Sequence, residues 1–154
     1  MPREDVSLKN LSEEVCETLA DAAKLKDVSL EVIGEDGVVN GVRRLLYEVI
    51  YNLCDNAVKY NRPGGSVKIN ISHKFGEILL SVQDTGIGIS PEHQDKVFER
   101  FYRVDKSHSK QSGGTGLGLS IVKHAVQYHH GKISIESERN KGTIISVIFN
   151  ANER

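Results

Sequence analysis

Two rhythms of apolar and polar residues run along this chain and divide it into helices and strands. The clearest helical stretch is Leu45–Tyr60, LLYEVIYNLCDNAVKY, which contains no Pro or Gly. At about 100° per residue, Leu46, Val49, Leu53 and Ala57 share a sector roughly 80° wide. Glu48, Asn52, Asn56 and Lys59 stack on another side at i, i+4, i+8 and i+11. The pattern predicts a second helix over Leu11–Lys26, with Leu11, Val15, Leu19, Ala22 and Ala23 inward and Ser12 as N-cap before Glu13 and Glu14. A third is expected over Leu119–His129, where Ile121, Val122, Ala125 and Val126 are apolar, and a short one over Pro91–Phe101.

The strand rhythm is plainest in Val67–Ser72, where Val67, Ile69 and Ile71 alternate with polar residues, the mark of a sheet with one buried face. Ile78–Gln83 follows through a turn at Lys74–Glu77 containing Gly76. Ser29–Ile33 reads as a strand, Val6–Leu8 and Val38-Val39 as short ones. Lys132–Glu138 and Thr143–Phe149 form a hairpin around Arg139–Gly142. Asn61-Arg62-Pro63-Gly64-Gly65 stops the central helix with turn chemistry. The sum is an α/β two-layer sandwich, three main helices on a mixed, largely antiparallel sheet. Ile89 to Gly113 stands apart, because long connections inside a domain are usually functional lids or disordered.

Composition narrows the class. A length of 154 residues suits one domain with one core. The shares of hydrophobic (38%) and charged (27%) residues are those of a globular protein. Net charge is −1, which gives no reason to expect nucleic acid or an anionic membrane as partner. No apolar run approaches the ~20 residues that cross a bilayer. Cys16 and Cys54 form no metal or redox motif and read as reduced packing residues of a cytosolic protein. The opening Met1–Asp5 reads like a cut inside a longer protein, with no signal peptide expected there.

Three stretches carry candidate chemistry. The Asn52, Asn56 and Lys59 stripe could line a hydrated Mg²⁺ bearing phosphates, since that ion prefers oxygen ligands and keeps waters. Taken alone, an Asn-x-x-x-Asn spacing is more often a solvated face. Asp84-Thr85-Gly86-Ile87-Gly88 follows a strand; its carboxylate could accept a hydrogen bond from an exocyclic amine such as adenine N6, or the stretch is a plain turn. Gly113-Gly114-Thr115-Gly116-Leu117-Gly118 precedes a helix, so backbone N–H groups and the helix N-terminus favour phosphate. It is no Walker A loop, because Leu119-Ser120 follows Gly118. It also lacks the spacing of a dinucleotide fingerprint, and no Asp-Phe-Gly of a protein kinase follows.

The combination is more specific than its parts. Asn52–Tyr60, then Asp84–Gly88, then Phe98-Glu99-Arg100-Phe101-Tyr102-Arg103, then Gly114–Leu119, in this order and spacing, resembles the catalytic ATP-binding domain of bacterial sensor histidine kinases. The resemblance covers nearly the whole chain. It extends to the gyrase-type, heat-shock-chaperone and mismatch-repair ATPases, and implies their Bergerat ATP-binding fold. The stretch from Phe98 to His124 is most similar to phosphate-regulon and cell-envelope sensors.

What the resemblance implies is specific. The cofactors would be ATP and Mg²⁺. Asn56 would bind the metal with Asn52 close by, Lys59 would reach phosphate or ribose, and Tyr60 would pack on adenine. Asp84 would hold adenine N6, with Gly86, Gly88 and Ile89 shaping that pocket and Thr143 assisting through a water. Gly114, Thr115, Gly116, Leu117, Gly118 and Leu119 would wrap the phosphates. Arg103 would reach the γ-phosphate from a basic lid over Tyr102–Gly113, mobile until nucleotide orders it, with Phe98 and Phe101 as apolar anchors.

Hydrolysing relatives place a glutamate four residues before the Mg²⁺ asparagine; here that position is Asn52, poorly equipped to deprotonate water. Phosphoryl transfer to a histidine fits better. The accepting motif of the family surrounds none of His73, His93, His108, His124, His129 or His130. The implied partner is therefore a histidine-bearing dimerisation domain of the same protein, with a response regulator downstream. The expected organisation is a single monomeric catalytic domain over residues 1–154, on the cytoplasmic side of a membrane-anchored homodimeric parent. A stand-alone ATPase and a non-catalytic nucleotide-binding module are the alternatives.

Overall fold

Ser7 sets the start of the first helix with help from a residue far along the chain. Its hydroxyl accepts the Asn10 N–H at 3.1 Å and itself donates to the Asp36 carboxylate, which also takes the Lys9 N–H at 3.1 Å. The expected cap, Ser12, is instead buried inside the helix and donates to the Leu8 carbonyl at 2.8 Å. The helix therefore begins at Leu8, where a strand was expected to end, because the deciding partner is Asp36 and not a neighbour.

The computed structural model describes residues 2–94, 96–99 and 118–151. In chain order the elements are β1 (Glu4–Ser7), α1 (Leu8–Lys26), β2 (Ser29–Gly34), β3 (Val38–Gly41), α2 (Arg43–Lys59), β4 (Ser66–Lys74) and β5 (Glu77–Asp84). Then come α3 (Pro91–Gln94), α4 (Gly118–Tyr128), β6 (Lys132–Glu138) and β7 (Gly142–Asn150). Of the helix expected over Pro91–Phe101, the described residues show helix at Pro91–Gln94 and turns at 96–98, while 95, 100 and 101 lie outside them.

The main sheet has strand order β2-β4-β5-β7-β6; β2 runs parallel to β4 and the other neighbours are antiparallel. β1 and β3 pair in a separate two-stranded sheet. Alternation decides which face is buried. Val67, Ile69 and Ile71 of β4 and Ile78, Leu80 and Val82 of β5 pack under Leu11 and Val15 of α1, Val49 and Leu53 of α2, and Val122 and Val126 of α4. Lys68, Asn70 and Gln83 face solvent on the other side. Burying each large aliphatic side chain contributes about 1.5–3 kcal/mol, which is what makes two layers the stable arrangement. Cys54 belongs to this core, and burial pushes its thiol far above the usual range.

His129 fastens α4 to the start of α2. Its Nε2 accepts the Val42 N–H at 3.0 Å and its Nδ1–H donates to the Ala125 carbonyl at 2.7 Å. Val42 is the N-cap of α2 and has no side-chain cap bond of its own. The imidazole instead satisfies Val42's own N–H, an arrangement of the neutral ring with its proton on Nδ1.

Candidate nucleotide site

α2 ends beside the two features that matter most. Asn52 donates its Nδ2 to the Glu48 carbonyl at 2.7 Å, which turns its Oδ1 away from the helix backbone. That oxygen lies 3.3 Å, and Asn56 Nδ2 3.7 Å, from the point where a Cβ on Gly118 would stand. The start of α4 and the amide wall of α2 are thus in contact. Asn52, Asn56 and Gly118, far apart in sequence, are brought together.

Lys59 follows on the same helix, half-buried, with its ammonium 2.9 Å from Asp55. Glu48 pairs with Arg44 at 3.6 Å, on the helix surface. Leu119 packs against the core, as does half-buried Phe98. Arg103, Gly114, Thr115, Gly116, Leu117 and Phe101, with the lid expected over Tyr102–Gly113, lie outside the described residues.

The other end of the site is the turn after β5. Asp84 is the last residue of that strand, in register with Val67 on β4 and Thr143 on β7. Its carboxylate accepts the Gly86 N–H at 2.8 Å and the backbone N–H of Thr143. Burial outweighs both bonds and pushes its pKa up to about 6. Buried Thr143 donates its hydroxyl to Ser137 Oγ at 2.7 Å, because Ser137 gives its own proton to the Gly142 carbonyl. Ser137 Oγ also accepts the Ile89 N–H at 2.7 Å, so this serine organises the pocket wall although nothing but strand alternation marks it in the sequence.

Glycine is required in this turn. A Cβ on Gly86 would stand 2.3 Å from the Tyr60 carbonyl. Gly88 has φ +72°, and a Cβ there would meet the Glu138 carbonyl at 2.1 Å. Tyr60, the C-cap of α2, accepts the Ile87 N–H at 3.1 Å, so the turn is bonded directly to the helix that carries Asn52 and Asn56. Among the described residues, no three His, Cys, Asp or Glu side chains cluster as a metal cage.

The family model described as histidine kinase-, DNA gyrase B- and HSP90-like ATPase matches residues 41–153. The chain belongs to that family. Among curated relatives of this ATPase domain, the sensor histidine kinase RppB of Synechocystis is 39% identical over 140 residues, covering 91% of this chain and 30% of that protein. The heme sensor protein HssS of Staphylococcus saprophyticus is 35% identical over 146 residues, 95% of this chain and 31% of the relative. The domain therefore spans about a third of the length of these curated relatives and corresponds to their catalytic ATPase module. Among solved structures, the mycobacterial sensor histidine kinase MprB superposes with TM-score 0.86 at 29% identity, covering 99% of both chains. The catalytic domain of the histidine kinase ThkA gives 0.82 at 27%, covering 98% of this chain and 97% of that one. No described helix is long and apolar enough to cross a membrane.

Proposed function

We propose that this domain binds Mg·ATP and transfers the γ-phosphoryl group to a histidine on a separate dimerisation domain of its parent sensor kinase, for relay to a response regulator. The parent would be a membrane-anchored homodimer with this single domain on its cytoplasmic side. The observation that carries the reading is the contact of Gly118, at the start of α4, with Asn52 and Asn56 of α2, the helix whose C-cap holds the Asp84 turn.

The division of labour is assigned from the family resemblance together with the described geometry. Asp84 accepts a hydrogen bond from the amine of the base, and Gly86, Gly88 and Ile89 let a flat ring approach, with Tyr60 against it and Thr143 bridging through water. The N–H groups at the start of α4 meet the phosphates, together with Leu119, the glycines from Gly114 to Gly118 and Lys59, once it exchanges Asp55 for phosphate. Arg103 neutralises charge on the γ-phosphate. Asn56 and Asn52 suit Mg²⁺, because they offer neutral hard oxygens and leave charge compensation to the phosphates. Bound there, the ion would neutralise charge building on the transferred group. An incoming imidazole nitrogen brings its own lone pair to phosphorus, the bond from phosphorus to the β,γ-bridging oxygen breaks, and ADP leaves. Asn52 offers no base for water, so hydrolysis is slow beside transfer.

The test supplies the parent's dimerisation domain in trans with Mg·ATP. An acid-labile phosphohistidine should form, and Asn56→Ala should abolish it. Steady phosphate release by the isolated domain, with no labelled histidine, would instead favour a hydrolase.

A further inference from the structure

Three consecutive residues beyond α2 grip the turn that carries Asp84, and only one of them does so with a charge. The peptide between Gly86 and Ile87 is bonded at both ends. Its N–H donates to the Tyr60 carbonyl at 3.1 Å, and its C=O accepts Arg62 Nη2 at 2.8 Å. The same nitrogen donates to the Asn140 carbonyl at 2.8 Å, in the turn between β6 and β7. Asn140 returns a bond, its N–H reaching the Ile87 carbonyl at 2.7 Å. Between them, Asn61 accepts the Thr85 hydroxyl at 3.2 Å and the Arg62 N–H at 2.9 Å.

We propose that Arg62 is a positioning residue for base recognition, its guanidinium tying the Asp84–Gly88 turn and the β6–β7 turn into one wall. It rests on the nucleotide reading above and extends it to the residue that fixes the base pocket. The peptide plane at Gly86–Ile87 sets where a ring can slide past the turn, and a backbone carbonyl facing an exposed arginine cannot rotate without losing a charge-assisted bond. Tyr60 and Arg62 also set the distance from the base end to the amide wall, because both continue directly from α2. Arg62 lies outside the stripe that faces Gly118, so its effect is confined to the base end. Asn61 is buried and also donates to the Ser66 carbonyl at 3.0 Å, which makes it a support of the fold more than an adjustable contact.

The test is Arg62→Met, which keeps most of the apolar stem and removes the guanidinium donors, beside Arg62→Lys, which keeps a charged donor. Without any ligand, amide exchange at Ile87 and Asn140 should speed on the order of tenfold in Arg62→Met, while amides of β4 and β5 stay as they were. ATP affinity measured by calorimetry should fall on the order of tenfold, and the affinity for magnesium triphosphate should not change. Arg62→Lys should recover most of both effects. Unchanged exchange and ATP affinity in Arg62→Met would overturn the proposal, and so would equal losses for ATP and triphosphate, which mean a general loosening. If the wild type binds no ATP, the nucleotide reading fails, and the exchange measurement still decides whether Arg62 holds the turn.

Discussion

The side-chain oxygen of Asn52 lies 3.3 Å from where a Cβ on Gly118 would stand, so the start of α4 rests directly on the amide wall of α2. At its other end α4 is fastened to the beginning of α2 by His129. The spacing at Gly118 leaves room for a methyl only if Asn52 gives way by a few tenths of an ångström. Gly118→Ala should therefore fold with a nearly unchanged melting temperature and bind Mg·ATP about tenfold more weakly, a cost near 1.4 kcal/mol. Thermal melts and calorimetry on the same sample check both halves.

Asp84 predicts a pH dependence of binding. With a pKa of about 6, its carboxylate is mostly ionised at pH 7.5 and mostly protonated at pH 5. Only the ionised form is a pure acceptor for the base amine. ATP affinity should fall as pH drops through 6, and Asp84→Asn should bind weakly with a flatter profile.

The same residue predicts a separation of stability from function. Its folded pKa is raised above the ordinary 3.8, so the native state holds the proton more tightly than the unfolded chain. Stability then rises as pH falls from about 6 toward 4. At neutral pH the buried charge costs on the order of 2 kcal/mol. Asp84→Asn should consequently keep or raise the melting temperature at pH 7 while losing ATP; a large drop in melting temperature would contradict this.

His129 carries the opposite sign. Burial is the largest cause lowering its pKa, with Arg3 and His130 adding to the shift and the Ala125 carbonyl opposing it. The unfolded chain then binds the proton more readily, so the contribution is present above pH 6.5 and lost below it. His129→Ala leaves the Val42 N–H without a partner and should cost about 1–3 kcal/mol in urea unfolding at pH 7.5, less at pH 5.

Asn56→Ala tests the amide wall itself. The variant should bind ATP without Mg²⁺ about as well as the wild type and gain little when the ion is added. A full Mg²⁺ enhancement in the variant would place the metal elsewhere.

The helices and sheet were legible because their cause is periodic. Leu46, Val49, Leu53 and Ala57 announce α2 in sequence, and its observed bounds, Arg43–Lys59, shift by two residues at the start and one at the end. Elements fixed by distant partners were not. Ser7 owes its capping role to Asp36, and the wall behind Asp84 depends on Ser137, Arg62 and Asn140. Local spacing marks Asn52 and Asn56 as one face, but only the fold shows that Gly118 lies against it. Arg62 reads as one turn residue among five, since its two carbonyl partners come from separate loops.

In the proposed site the Asn52–Asn56 face of α2 holds phosphates and metal while the turn bonded to its C-cap reads the base. Calorimetric titration of the domain with ATP and GTP, each with and without Mg²⁺, tests both ends together. ATP should bind, Mg²⁺ should strengthen it, and GTP, which offers a carbonyl where adenine offers an amine, should bind at least tenfold more weakly. Equal affinity for the two nucleotides, or no binding of either, would contradict it.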